Sequence, residues 1–70
     1  MEGFMNNLRT IRVLKRVSQW ELSKQTEIPQ SRISLIENNL VNAKTKERTT
    51  IAAALGFKAQ DIDWTVPEGN

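Results

Sequence analysis

The sequence contains no cysteine, no histidine and no tyrosine, and only two prolines and three glycines among its 70 residues. Without cysteine, neither disulfides nor thiolate metal sites can contribute to stability. Without histidine, the commonest general base and the commonest metal ligand are both missing. Ser, Asp, Glu and Lys are present, but no base, metal cluster or phosphate loop accompanies them, so no catalytic residue is assigned and no enzyme, cofactor or metal site is expected. No apolar run approaches the ~20 residues needed to span a bilayer. The N-terminus lacks the basic-then-apolar order of a signal peptide. The expectation is a cytoplasmic protein that does not engage a membrane.

A chain of 70 residues has room for one domain with a modest core. Its net charge of +2 is unevenly placed: residues 1–57 hold nine Lys and Arg against five Glu, a net of +4, while residues 58–70 hold one Lys against Asp61, Asp63 and Glu68, a net of −2. The basic excess fits a polyanion partner and, taken alone, equally fits an ordinary solvated surface.

Periodicity predicts an all-α chain. Leu8, Ile11, Arg12 and Lys15 fall at helical spacing in a first helix of about Asn7 to Arg16, with Leu14 adding apolar area and Asn6 or Asn7 available as cap. Phe4 or Met5 could serve as a hydrophobic staple. Ser18 and Glu21 form a capping box for a second helix ending near Thr26. A third begins around Pro29, whose fixed φ suits a first helical position, and runs to Glu37. After the loop Asn38 to Lys44, Thr45 can cap a fourth helix through Leu55, stopped by Gly56. Ala59 to Trp64 reads as a last short turn or helix, and residues 65–70 as a frayed tail on a domain whose core covers about residues 7–64.

The stretch from Gln19 to Asn38 is the most informative. It reads as two short helices joined by a tight turn, the arrangement in which a first helix rests across a phosphate backbone and a second enters the major groove of DNA. Leu22, the small Ser23, Ile28, Ile33 and Ile36 would face inward. Gln30, Ser31, Arg32, Ser34 and Leu35 are left on the outer side and leading end of the second of these helices. A Gln can bond the N6 and N7 edge of adenine, a Ser hydroxyl can serve several bases, and a Leu can meet a thymine methyl. Arg32 could reach guanine or a phosphate. Lys44, Lys46 and Arg48 stand where positive charge opposes the dipole of the fourth helix, so Lys44 and Lys46 are assigned to phosphate and Arg48 is left open.

From about Leu8 to Trp64 the chain resembles the five-helix DNA-binding domain of the lambdoid phage repressor and Cro family, the XRE type of helix-turn-helix. The residues carrying the resemblance are Arg12, Gln19 and Leu22, Ile33 with Ile36-Glu37-Asn38, and Ile51-Ala-Ala-Ala-Leu-Gly56. The resemblance implies a bacterial or phage-encoded, nucleoid-associated regulator of transcription, either repressor or activator, that binds double-stranded operator DNA as a homodimer. It implies that the Gln19 amide touches a phosphate and braces Gln30, that Gln30 and Ser31 head the reading helix, that Asn38 meets a phosphate, and that Arg12 and Glu37 form a structural ion pair. Two departures stand out: Glu27 occupies a turn position that is usually Gly, at a cost of order 1 kcal/mol, and Asn39 replaces a frequent Gly more mildly. Ile62, Trp64 and Val66 could supply a small dimer contact; Phe57, and alternatively Trp64, would close the monomer core. The competing expectation is an antitoxin or protein-interaction module of the same fold, acting mainly through a protein partner.

Overall fold

Capping and helix-ending chemistry divides the chain into short elements. The structure, a computed structural model, describes residues 7–65. It contains α1 (Leu8–Leu14), α2 (Gln19–Thr26), α3 (Gln30–Glu37) and α4 (Thr45–Ala54), followed by one 3-10 turn at Ala59–Asp61. No strand occurs among the described residues. The fold class is therefore all-α, with four α-helices among the described residues where five were expected. The fifth shrinks to a single turn: Asp61 Oδ2 accepts the Lys58 N–H at 3.0 Å, and Ile62 then returns to extended backbone and enters the core.

The helix starts follow local side chains. Ser18 Oγ accepts the Glu21 N–H at 3.0 Å while Glu21 Oε1 accepts the Ser18 N–H at 2.9 Å, completing the expected box. Pro29 stands one residue before α3, and its carbonyl accepts the N–H groups of Arg32 and Ile33. Thr45 does not cap α4. It is the first helical residue, Lys44 precedes it, and Glu47 Oε1 accepts the Lys44 N–H at 2.8 Å. Asn7 does not cap α1 with its side chain either. Its Oδ1 instead accepts the Asp63 N–H at 2.8 Å, and its own N–H donates to the Asp63 carbonyl at 3.3 Å, joining residues 56 apart in sequence.

Each helix ends on left-handed backbone: Arg16 (φ 60°), Glu27 (φ 62°), Asn39 (φ 63°) and Gly56 (φ 84°). At three of the four ends, the following residue's N–H reaches back to satisfy an orphan carbonyl: Val17 to Arg12, Leu40 to Leu35 and Phe57 to Ala52. At the end of α2, the Glu27 N–H itself donates to the Ser23 carbonyl at 2.8 Å. Glycine is the residue best suited to such a site, yet only one of these four positions has it.

The core forms where the helices converge. Leu8, Leu22, Ile33, Ile36 and Ile51 are fully buried, joined by Ala52, Leu55 and Ile62. α2 packs on both α3 and α4, and the 3-10 turn packs on α4. The radius of gyration, 11.2 Å, agrees with the roughly 10 to 11 Å of a packed domain of this size. Phe57 packs against the core as expected.

Leu14 and the expected place of Ile62 in a dimer contact require correction. Leu14 is 75 % exposed and adds nothing to the core. Ile62 is 4 % exposed and therefore part of the monomer core. Trp64 packs partly on that core, donates its Nε1–H to the Ala59 carbonyl at 2.8 Å and lies 5.7 Å from the Arg48 guanidinium. Ile62 is therefore not free to pair protomers, whereas Trp64 keeps part of its surface exposed. Val66, Phe4, Met5 and Asn6 lie outside the described residues. No helix among the described residues is long and apolar enough to cross a membrane.

The left-handed side-chain-bearing positions yield a direct stability test. Glu27 is exposed and makes no side-chain hydrogen bond or ion pair among the described residues, so Glu27→Gly removes strain without removing a polar interaction. It should stabilise the domain by about 1 kcal/mol and raise the thermal midpoint by about 4–8 °C. An unchanged or lower midpoint would show that the turn carries no such strain.

Candidate nucleic-acid interface

The site is built outward from one buried ion pair. Arg12 of α1 and Glu37 at the end of α3 are 9 % and 6 % exposed. Arg12 Nε donates to Glu37 Oε2, Nη2 donates to Oε1 at 3.2 Å, and Nη1 donates to the Val17 carbonyl at 2.9 Å. Such a fork matches the two carboxylate oxygens, giving a bidentate charge-assisted pair. Glu37 Oε1 also accepts the Gln19 Nε2–H at 2.9 Å. A carboxylate can only accept, so the Gln19 amide must direct its nitrogen inward and its carbonyl outward. The exposed Gln30 Nε2 lies 3.5 Å from that Gln19 Oε1, a long contact at the rim. A chain of polar contacts thus runs from the buried pair to the head of α3.

The α2–α3 turn is held by side chains that the sequence did not single out for it. Ser23 Oγ donates to the Ile28 carbonyl at 2.6 Å, the buried Thr26 Oγ1 donates to the Leu22 carbonyl at 2.7 Å, and the Ile28 N–H donates to Thr26 Oγ1 at 3.2 Å. These bonds accommodate the backbone polar groups around left-handed Glu27. Thr26 was legible only as a helix end.

On α3 the predicted reading residues divide. Gln30 and Ser31 are exposed, and Leu35 is 39 % exposed. Ser34 is half-buried, and Asn38 Nδ2 donates back to the Ser34 carbonyl at 2.8 Å. Arg32 does not project freely. Its Nε and Nη2 donate to the two oxygens of Glu47, each at 3.0 Å, and Nη2 also reaches the Asn42 carbonyl at 3.2 Å. Arg32 is thus an anchor between α3 and the first turn of α4. Glu47, which sequence reasoning missed, is its partner.

Lys44 and Lys46 are exposed at the start of α4 and pair with no carboxylate among the described residues. Arg48 donates its Nε–H to the Ala43 carbonyl at 2.9 Å and stacks near Trp64, a structural placement. An open cleft of about 490 Å³ lies between α1, α2 and α3, with the Arg12 and Glu37 pair among its walls together with Arg9, Ser18, Gln19, Gln30, Ser34 and Asn38.

The charge arrangement is lopsided. Glu37 and Glu47 accept from arginines, Glu21 and Asp61 accept backbone N–H groups, and Asp63 accepts the Thr65 hydroxyl. The side-chain cations of Arg9, Arg16, Lys44, Lys46 and Lys58 form no salt bridge among the described residues. No group of His, Cys, Asp or Glu among the described residues could hold a metal ion. No protein-family model matches the chain, and no curated protein matches it at a significant level.

Two predictions follow from these ion pairs. Arg12→Ala strands the Glu37 carboxylate in the interior, which should cost ~3–5 kcal/mol and lower the thermal midpoint sharply; a parental midpoint would refute the pair's structural role. At Glu47, hydrogen bonds from Arg32 hold the carboxyl below its ordinary range, outweighing partial burial, with the Lys44 N–H adding to the effect. A carboxylate with a pKa depressed by folding stabilises fully above its unfolded value and loses that contribution as pH falls through its folded value. Stability should therefore decline as pH drops below about 4 to 5, and Glu47→Gln should flatten that acid limb in thermal melts. An acid limb identical in both proteins would remove Glu47 from this role.

Proposed function

We propose that the protein is a sequence-specific DNA-binding regulator of transcription in which α2 and α3 act as a helix-turn-helix and α3 reads base edges in the major groove. The observation that carries this reading is the separation of charge: Glu21, Glu37 and Glu47 are engaged internally, leaving Glu27 of the α2–α3 turn as an exposed acid, while Lys44 and Lys46 form no salt bridge among the described residues and stand exposed beside a helix whose Gln30, Ser31 and Leu35 remain exposed. A surface with exposed cations around a polar, short-chained helix face suits a polyanion with readable edges. In this reading Gln30, Ser31 and Leu35 face bases, Ser34 sits at their margin, and Lys44 and Lys46 meet phosphates, while the Gln19 and Asn38 amides, which donate to Glu37 and Ser34, must turn outward to reach the phosphates expected of them. Arg32 is withdrawn from base contact because Glu47 occupies its fork.

One eight-residue helix spans few base pairs, so binding as a homodimer on a near-palindromic operator, with half-sites about one helical turn apart, belongs to the proposal. Ile62 is taken up by the monomer core, so among the described residues the part-exposed Trp64 is what remains of the expected contact. A second reading, an antitoxin or interaction module working through a protein partner, draws on Val13, Leu14 and Trp20, which are 56 %, 75 % and 57 % exposed. An interaction module should show no salt-dependent binding to random duplex.

A pair of variants separates reading from holding. On the site selected from a random oligonucleotide pool, Gln30→Ala should cost ~1–3 kcal/mol and far less on random duplex. Lys46→Ala should weaken both duplexes alike and flatten the plot of log affinity against log salt by about one unit. Equal loss on both duplexes for Gln30→Ala would rule out α3 as the reading element.

A further inference from the structure

Arg9, on the outer flank of α1, brings a charge into the cleft between α1, α2 and α3 that no described carboxylate neutralises. The only carboxylate lining that cleft among the described residues is Glu37, and it is engaged: Oε2 takes the Arg12 Nε–H, and Oε1 takes both an Arg12 Nη2–H and the Gln19 Nε2–H. The buried pair contributes no net charge, so the cleft as a whole carries that of Arg9. Gln30 at its rim has two amide hydrogens and uses one toward Gln19, leaving the other available. The cleft is open to solvent and about 490 Å³ in volume, enough for a tetrahedral oxyanion and part of its ester chain.

We propose that this cleft receives one phosphodiester of duplex DNA and that Arg9 is the residue that binds it. The proposal rests on α3 being the reading helix, because Gln30 lines the cleft and also heads that helix. A strand whose bases are read at Gln30 must carry its backbone past this opening. A phosphodiester bears a single charge and two unesterified oxygens, matching one guanidinium fork. Phosphate contacts of this kind fix register and orientation without carrying sequence information. Arg9 is thereby a positioning contact that sets how α3 seats in the groove, distinct from the lysines at the start of α4.

The test is a titration of the parent, Arg9→Ala, Arg9→Lys and Lys58→Ala against the selected site and a random duplex at several salt concentrations. Lys58 is an exposed cation that does not line the cleft. Arg9→Ala should reduce the salt slope by about 0.9 on both duplexes, with a thermal midpoint like the parent's because Arg9 is exposed. Arg9→Lys should keep the slope but bind more weakly, since an ammonium cannot fork two oxygens, and Lys58→Ala should behave as the parent. If Arg9→Ala keeps a steep parental slope, the Arg9 assignment falls and the α3 reading survives. If the parent itself shows no salt-dependent duplex binding, the α3 reading falls and the phosphodiester site falls with it.

Discussion

The Arg12–Glu37 pair is the constraint on which the rest of the site depends. It joins the first helix to the end of the third across the core, and desolvation makes each charge tolerable only in the presence of the other. Its geometry also determines the neighbours. Because Glu37 can only accept, the Gln19 amide has one permitted sense, and that sense decides what α2 offers to α3. A hydrophobic pair of similar volume could fill the same space without transmitting any orientation to the surface.

A second ion pair has a different task. Arg32 and Glu47 are part-exposed, so their worth to stability is modest, but they tether α3 to the start of α4 across the Asn38 to Lys44 loop. Lys44 and Lys46 are carried on that tethered segment. The same Glu47 that holds Arg32 also caps the backbone at Lys44, so one carboxylate orders the loop end and offsets local positive charge while both lysine side chains stay exposed. The two pairs thus fix α3 at both ends, one from the interior and one from the rim.

Much of this was legible in the sequence because it depends on fixed local spacing. The Ser18 and Glu21 box, the buried set Leu22, Ile28, Ile33 and Ile36, and the stop at Gly56 each follow from residues within a turn or two of one another. What escaped depends on contacts between distant residues. Helical position puts Arg32 on the outer side of α3, but it does not reveal that Glu47, fifteen residues on, meets it. Alternation of Ile62 and Trp64 with acidic residues marks an apolar stripe without saying what covers it, and here the monomer core takes up Ile62 and part of Trp64. Arg16 gave no sign of a left-handed helix end, because that signal is normally a glycine. Arg9 went unnoticed because an isolated cation acquires meaning only when a cleft forms around it.

The clasp between Asn7 and Asp63 has a consequence for cooperativity. α1 is seven residues long and lacks a side-chain cap, so its beginning is secured by a partner 56 residues further along the chain. Opening α1 from that end would carry Arg12 away from Glu37 and release Gln19 in the same event. The first helix, the segment after the last turn and the rim of α3 therefore belong to one unit of local unfolding. In hydrogen exchange, the amides of α1 and of Asp63 would open together, at the free energy that separates the ordered site from the disordered one.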